Sequence, residues 1–109
     1  MKKIAIVGAG AAGKRFIHTI LSSSLKSKFT ITAIFDDDIK KIDTSIHDIR
    51  VTDLTINLDK YVNLFEMIVI AIPSCGESKF NQIYSRCIKT GKKVVTIPSH
   101  KDILSQSQE

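Results

Sequence analysis

The chain opens with a short apolar run that leads directly into three closely spaced glycines. Residues 4–7 read Ile-Ala-Ile-Val, and Gly8, Gly10 and Gly13 follow at once. An apolar run of this length predicts a buried strand, and the residues after Gly13 have the apolar spacing of a helix. A strand that turns on glycines into a helix exposes free N–H groups at the positive end of the helix dipole. The stretch therefore predicts a phosphate-binding turn.

Each glycine has a separate predicted role in this turn. Gly8 permits the tight turn, Gly10 lets the backbone approach a pyrophosphate, and Gly13 lets the helix pack closely on the strand. The turn residues predicted to bind a cofactor are Gly8, Ala9, Gly10, Ala11, Ala12 and Gly13.

Strand-like and helix-like segments alternate along the rest of the chain, which favours a parallel sheet with helices on both faces. The predicted strands are residues 3–7, 29–35, 50–54, 66–72 and 93–97. The predicted helices are residues 11–23, 58–65, 77–90 and 99–104, and residues 39–49 are expected to form a loop. Right-handed crossovers favour the strand order 3-2-1-4-5. The expected fold is α/β, a Rossmann-like three-layer sandwich with a five-stranded parallel sheet. Residues 1–104 form its one nucleotide-binding domain, and residues 105–109 form a polar tail.

An acidic residue follows the second predicted strand at the spacing expected for ribose recognition. Asp36 lies 23 residues after Gly13, at the end of the second predicted strand, where a carboxylate can accept hydrogen bonds from ribose hydroxyls. It would repel a 2′-phosphate, so it favours an unphosphorylated ribose. Asp37 is a second candidate for this contact. The alternative is that Asp36, Asp37 and Asp38 form only a solvated turn.

Further candidates lie close to the predicted ligand position. Ser74 follows the fourth predicted strand, where it could hydrogen-bond a ligand or cap the next helix. Lys14 and Arg15, in the first turn of the first helix, could neutralise a phosphate or lie in solvent. Cys75 is expected to be a structural or merely exposed thiol.

The amino-acid composition argues against several classes of function. The net charge is +5, but basic and acidic residues interleave, so no nucleic-acid partner is expected. The two cysteines and three histidines match neither a zinc site nor a disulfide framework, and no metal ligand is predicted. No apolar run approaches the roughly 20 residues of a membrane span, and no signal peptide is recognisable, so a cytoplasmic domain is expected.

No catalytic set is predicted either. Tyr61 and Tyr84 are followed four residues later by Phe65 and Ile88, so neither forms a Tyr-x-x-x-Lys pair. No nucleophile elbow is present. The sequence therefore predicts a binding turn without catalytic residues of its own.

Four segments together carry a family resemblance: residues 6–13, 33–38, 68–74 and 95–99. They resemble the N-terminal Rossmann-like domain, often labelled CoA-binding-like, of membrane-bound polysaccharide-biosynthesis proteins of the nucleotide-sugar 4,6-dehydratase/epimerase type. The resemblance implies NAD as the cofactor, with a nucleotide sugar or CoA as other candidates. It also implies an adjacent short-chain-dehydrogenase domain that performs the chemistry and a membrane anchor, and it allows a homo-oligomer. The chain is then expected to be one module of a longer protein, with a truncation point at the tail.

Two alternatives stay open. The first is the cofactor-binding half of an NAD-dependent oxidoreductase of the glucose-fructose oxidoreductase type, which also carries Gly-Lys before its fifth strand, as in Gly91-Lys92. Against it, the usual Glu-Lys-Pro after that strand is replaced by Ile97-Pro98-Ser99. The second is a regulatory or assembly module whose glycine turn is vestigial.

Overall fold

A six-stranded sheet forms the centre of the protein in the computed structural model, which describes residues 1–72 and 76–97. The strands are β1 (Lys2–Val7), β2 (Phe29–Phe35), β3 (Ser45–Ile46), β4 (Ile49–Asp53), β5 (Met67–Ile70) and β6 (Lys93–Thr96). Their order across the sheet is β3-β4-β2-β1-β5-β6. All neighbouring strands are parallel except β3 and β4, which are antiparallel.

The predicted five-stranded parallel sheet is one strand short, because a sixth, antiparallel strand lies at one edge. The five predicted strands lie in the predicted order 3-2-1-4-5, as β4-β2-β1-β5-β6. This strand, β3, falls within residues 39–49, which were expected to form a loop. His47 and Asp48 connect it to β4 with φ angles of 49° and 67°. Such two-residue hairpins usually carry Asn-Gly or Asp-Gly, so His-Asp contains little sequence signal. A two-residue strand is also too short to show an alternating pattern.

Among the described residues, two α-helices cover the sheet, α1 (Ala11–Leu21) and α2 (Glu77–Ile88). The predicted helix over residues 58–65 is a 3₁₀ helix, and it spans Thr55–Leu64. Shorter 3₁₀ turns follow α1 at Ser24–Ser27 and β2 at Ile39–Lys41. The predicted helix over residues 99–104 and the tail 105–109 lie outside the described residues.

The core has two layers because β1 and β5 are buried on both faces. Residues 4–7 of β1 and 67–70 of β5 are all buried. On one face they pack with Ile17 and Ile20 of α1, and on the other with Ile83 and Cys87 of α2. β1 pairs with β2 on one side and with β5 on the other. The chain therefore reverses its direction across the sheet between β1 and β5, where ligands of open α/β sheets bind.

Candidate functional site

The turn after β1 is shaped by Gly8. Its φ angle is +118°, a conformation that side-chain-bearing residues rarely adopt. A Cβ atom at Gly8 would lie 2.5 Å from the carbonyl oxygen of Ala71. The Gly8 N–H donates to the carbonyl oxygen of Phe35 at 2.7 Å. Gly8 therefore holds the turn tightly against the ends of β2 and β5.

Gly13 and Gly10 differ in what surrounds them. A Cβ atom at Gly13 would lie 1.8 Å from the carbonyl oxygen of Gly8, so α1 rests directly on the turn. A Cβ atom at Gly10 would meet only the Nζ atom of Lys41, at 3.7 Å. Gly8 and Gly13 are thus required for packing, whereas Gly10 leaves open space at the start of α1.

The N-terminus of α1 offers free donors to that space. Gly10 is the N-cap residue, no side chain caps the helix, and its first turn carries no acidic residue. The backbone N–H groups of Ala11, Ala12 and Gly13 have no acceptor within the helix, as helix geometry dictates. Together with the helix dipole, they form a surface suited to a phosphate.

Asp36 is fixed against the glycine turn. Its Oδ2 atom accepts a hydrogen bond from the Ala9 N–H at 2.7 Å, and its Oδ1 atom accepts from the Asp38 N–H at 2.8 Å. Each carboxylate oxygen has a further lone pair with which it can accept from a ribose hydroxyl. The structure thus brings Asp36 and Ala9 together, and the contact of Asp36 with ribose stays a prediction.

Asp37 has its carboxylate in a different network. Oδ1 accepts from the N–H and the hydroxyl of Thr55 at 2.9 and 2.7 Å. Oδ2 lies 2.9 Å from Lys79 Nζ and 3.4 Å from Nη1 of Arg86, which also donates to the Thr55 hydroxyl. Burial raises the pKa of Asp37, but the hydrogen bonds from Thr55 and Lys79 outweigh it, so the pKa lies below its ordinary value. Asp37 therefore ties the end of β2 to α2, and its proposed contact with a cofactor stays a prediction.

A small cavity of about 120 Å³ lies beside the turn. Its walls combine apolar side chains from the ends of β1 and β5 and from α2 with the carboxylates of the loop after β2 and the polar side chains of Thr55 and Lys79. The lining residues are Val7, Gly8, Asp36, Asp37, Thr55, Ile72, Lys79 and Ile83. A wider depression of about 850 Å³ is lined by residues of α2 and Lys89 alone, so it does not include the turn.

The structure gives less information on the remaining predicted site residues. Lys14 and Arg15 are exposed on α1. Ser74 and Cys75 lie outside the described residues. Within residues 1–72 and 76–97, no group of three or more potential ligands is arranged to hold a metal ion. No helix in those ranges is long and apolar enough to span a membrane.

Sequence reasoning missed four residues of this region: Lys41, Thr55, Lys79 and Arg86. Lys41 belongs to a segment without a periodic apolar pattern, and it is one of several lysines dispersed along the chain. Thr55 is a buried polar residue, 1% exposed, whose hydroxyl donates to Asp37 and accepts from Arg86. For none of the four does local sequence spacing carry a signal, because each meets its partners only across the folded chain.

Comparison with known proteins shows that the sequence of this chain matches a family of NAD-binding domains. Residues 2–96 match the sequence profile of a family described as an oxidoreductase family with an NAD-binding Rossmann fold. The match runs from the first strand of the sheet to the last, and so includes the whole glycine turn.

Individual relatives extend the comparison. The crystal structure of UDP-D-quinovosamine 4-dehydrogenase from Vibrio fischeri is 26% identical with a TM-score of 0.81, covering 97% of this chain and 85% of that one. The capsular polysaccharide biosynthesis protein CapD of Staphylococcus aureus is 28% identical over 110 residues. That alignment covers 99% of this chain but 18% of CapD, so the chain spans less than a fifth of this relative. The repressor RSP, solved with β-NAD⁺ and operator DNA, shares the fold at 20% identity and a TM-score of 0.74, over 99% of this chain and 55% of that one.

Proposed function

This chain belongs to the oxidoreductase family with an NAD-binding Rossmann fold, and we propose that it binds the pyrophosphate of NAD on the glycine turn. The observation that carries the proposal is the contrast between the glycines. Packing fills the space at Gly8 and Gly13, whereas Gly10 leaves room at the uncapped N-terminus of α1. A dinucleotide needs backbone approach at that position.

The neighbouring residues suit the other parts of the cofactor. Asp36 would accept hydrogen bonds from the adenosine ribose, because it is held at the turn with lone pairs to spare. The cavity beside Gly8 has apolar walls from Val7, Ile72 and Ile83, which suit the adenine ring. When bound, NAD supplies hydride transfer, and this chain's own residues bind and orient it.

We further propose that the residues acting on the substrate belong to a longer protein of which this chain is the nucleotide-binding domain. The chain covers only 18% of the length of CapD, which leaves most of that relative for other domains. The resemblance of the four segments named above supports a nucleotide-sugar 4,6-dehydratase or epimerase of polysaccharide biosynthesis as the parent protein. An adjacent catalytic domain and a membrane anchor are then its neighbours.

A second candidate function is the cofactor-binding half of an NAD-dependent oxidoreductase. Family membership favours it directly, and so does the similarity to a protein named as a UDP-sugar 4-dehydrogenase. Both candidates place NAD on the same turn. They differ in whether the cofactor bound here takes part in the reaction of the parent protein.

Isothermal titration calorimetry with NAD⁺, UDP-N-acetylglucosamine and CoA tests these proposals. We expect micromolar binding of NAD⁺ that is abolished in Gly10→Val, since this side chain occupies the open space at the turn. Thr19→Val, an exposed change on the same helix, serves as the control and should bind normally. Melting curves verify that both variants are folded.

The other outcomes are equally informative. Binding of UDP-N-acetylglucosamine or CoA without NAD⁺ would contradict the choice of cofactor and favour an accessory site. Absence of heat with all three ligands would contradict nucleotide binding and favour a vestigial turn.

A further inference from the structure

Lys41 lies over the glycine turn although it belongs to a different segment of the chain. Its Nζ atom is 3.7 Å from the position that a Cβ atom of Gly10 would occupy. The residue ends the 3₁₀ turn Ile39–Lys41 that follows β2. We propose that Lys41 is a phosphate-binding residue, which completes the anion site with the first turn of α1. This inference rests on the proposed function and names a residue of that same site.

The backbone of Lys41 is held in place by a continuous series of hydrogen bonds. Its N–H donates to the carbonyl oxygen of Asp38 at 2.9 Å, and its own carbonyl oxygen accepts from the Thr44 hydroxyl at 2.6 Å. The N–H of Asp38 donates to Asp36, which in turn accepts from Ala9. The segment that carries Lys41 is therefore anchored to the glycine turn, which lowers the entropic cost of holding an ammonium there.

The charge of Lys41 is not compensated in the described part of the chain. Within residues 1–72 and 76–97, the salt bridges of at most 4.0 Å involve Arg50, Lys79 and Arg86, and none involves Lys41. Lys41 is also half-buried, whereas Lys14 and Arg15 on α1 are exposed. The Lys41 ammonium is therefore available to a counter-charge that a ligand brings.

Lys41 and the α1 N-terminus bring positive charge to the same place. The helix dipole contributes the equivalent of about half a positive charge at its first turn. The Asp36 carboxylate at the turn accepts from two backbone N–H groups, and among the described residues it forms no salt bridge with Lys41 within 4.0 Å. A ligand with phosphate oxygens at Gly10 would satisfy both the ammonium and the free N–H groups. Phosphate, and not ribose or base, is thus the chemical group that Lys41 recognises.

Titration of the full chain with NAD⁺, ADP and adenosine tests this assignment. In Lys41→Met, which retains the apolar stem without the charge, we expect binding of NAD⁺ and ADP to weaken about tenfold, the effect of losing one charge-assisted hydrogen bond. Adenosine binding should not change, because it has no phosphate. The dependence of NAD⁺ binding on salt should also become shallower.

Two further variants serve as controls. Lys40→Met removes the same charge from the exposed neighbouring residue and should bind all three ligands as the wild type does. Lys41→Arg keeps the positive charge and should retain most of the affinity for ADP.

The possible failures can be told apart. If Lys41→Met binds NAD⁺ as tightly as the wild type, the role of Lys41 is wrong while the proposed function stands. If it weakens adenosine as much as ADP, Lys41 supports the fold and does not bind phosphate. If the wild-type chain binds none of the ligands, the proposed function itself is wrong.

Discussion

A Cβ atom at Gly13 would lie 1.8 Å from the carbonyl oxygen of Gly8, far inside van der Waals contact. This relationship sets the distance between α1 and the turn that precedes it. At Gly10 the corresponding space is open except for the Lys41 ammonium. Of these two glycines three residues apart in one motif, Gly13 is therefore required for packing, whereas Gly10 leaves open space at the start of α1.

Serine substitutions at these two positions should affect stability very differently. Gly13→Ser forces α1 away from the turn, and we expect a loss of about 3 kcal/mol, the upper end of the cost of overpacking. Gly10→Ser places a favoured N-cap residue in open space, and stability should stay within about 0.5 kcal/mol of the wild type. Urea denaturation followed by circular dichroism measures both. Similar losses in the two variants would contradict the distinction.

The carboxylate of Asp36 should set the preference between NAD⁺ and NADP⁺. In Asp36→Asn the negative charge beside the ribose site is lost, so the ratio of the two dissociation constants should move toward NADP⁺ by about tenfold. The control is Asp38→Asn, which removes the same charge from the same loop and should leave the ratio near that of the wild type. Equal ratios in the two variants would show that Asp36 does not approach the ribose.

The Asp37 network should make stability depend on pH at the acidic end. The folded-state pKa of Asp37 is lowered, because hydrogen bonds from Thr55 and Lys79 outweigh the effect of burial. Its contribution is therefore complete above the unfolded pKa of about 3.9 and is lost as the pH falls through the folded pKa. We expect Asp37→Asn to lower the free energy of unfolding by about 1–3 kcal/mol at pH 7.

Urea denaturation at several pH values tests this dependence. The difference between Asp37→Asn and the wild type should shrink as the pH falls below about 4, where the unfolded-state carboxyl becomes protonated, and it should be lost as the pH passes the lower folded-state pKa. Asp59→Asn, at an exposed position, provides a control that should cost little at any pH. A difference that does not vary with pH would contradict an ionised Asp37 in the network.

The thiol of Cys87 should be inert in the folded protein. Cys87 is fully buried in the layer beneath α2, and burial raises its pKa to about 12. Because the thiolate is the reactive form, Cys87 in a Cys75→Ser variant should not react with a disulfide reagent at pH 8 until urea is added. Rapid reaction in the native state would show that α2 opens readily.

The regular elements were largely predictable because each carries its own periodic pattern. The predicted second strand, residues 29–35, coincides with β2, and the apolar run over 66–72 contains β5. The edge strand β3 was missed, since two residues joined by His47 and Asp48 show neither alternation nor a usual turn sequence. The predicted short helix over residues 58–65 is the 3₁₀ helix Thr55–Leu64, and the two helix types are hard to separate by pattern because both place apolar residues three apart.

The candidate site shows the same division between features with a local sequence pattern and features without one. The sequence by itself determined the strand, the glycine turn and the helix after it, because these are contiguous and their conformations follow from local sterics. It also placed Asp36 correctly at the end of β2. Only the tertiary structure decided that Lys41 lies over Gly10 and that Asp37 pairs with Thr55, Lys79 and Arg86. Those contacts join segments that are distant in sequence, and they exist only once the parallel sheet brings the carboxyl ends of its strands to one edge.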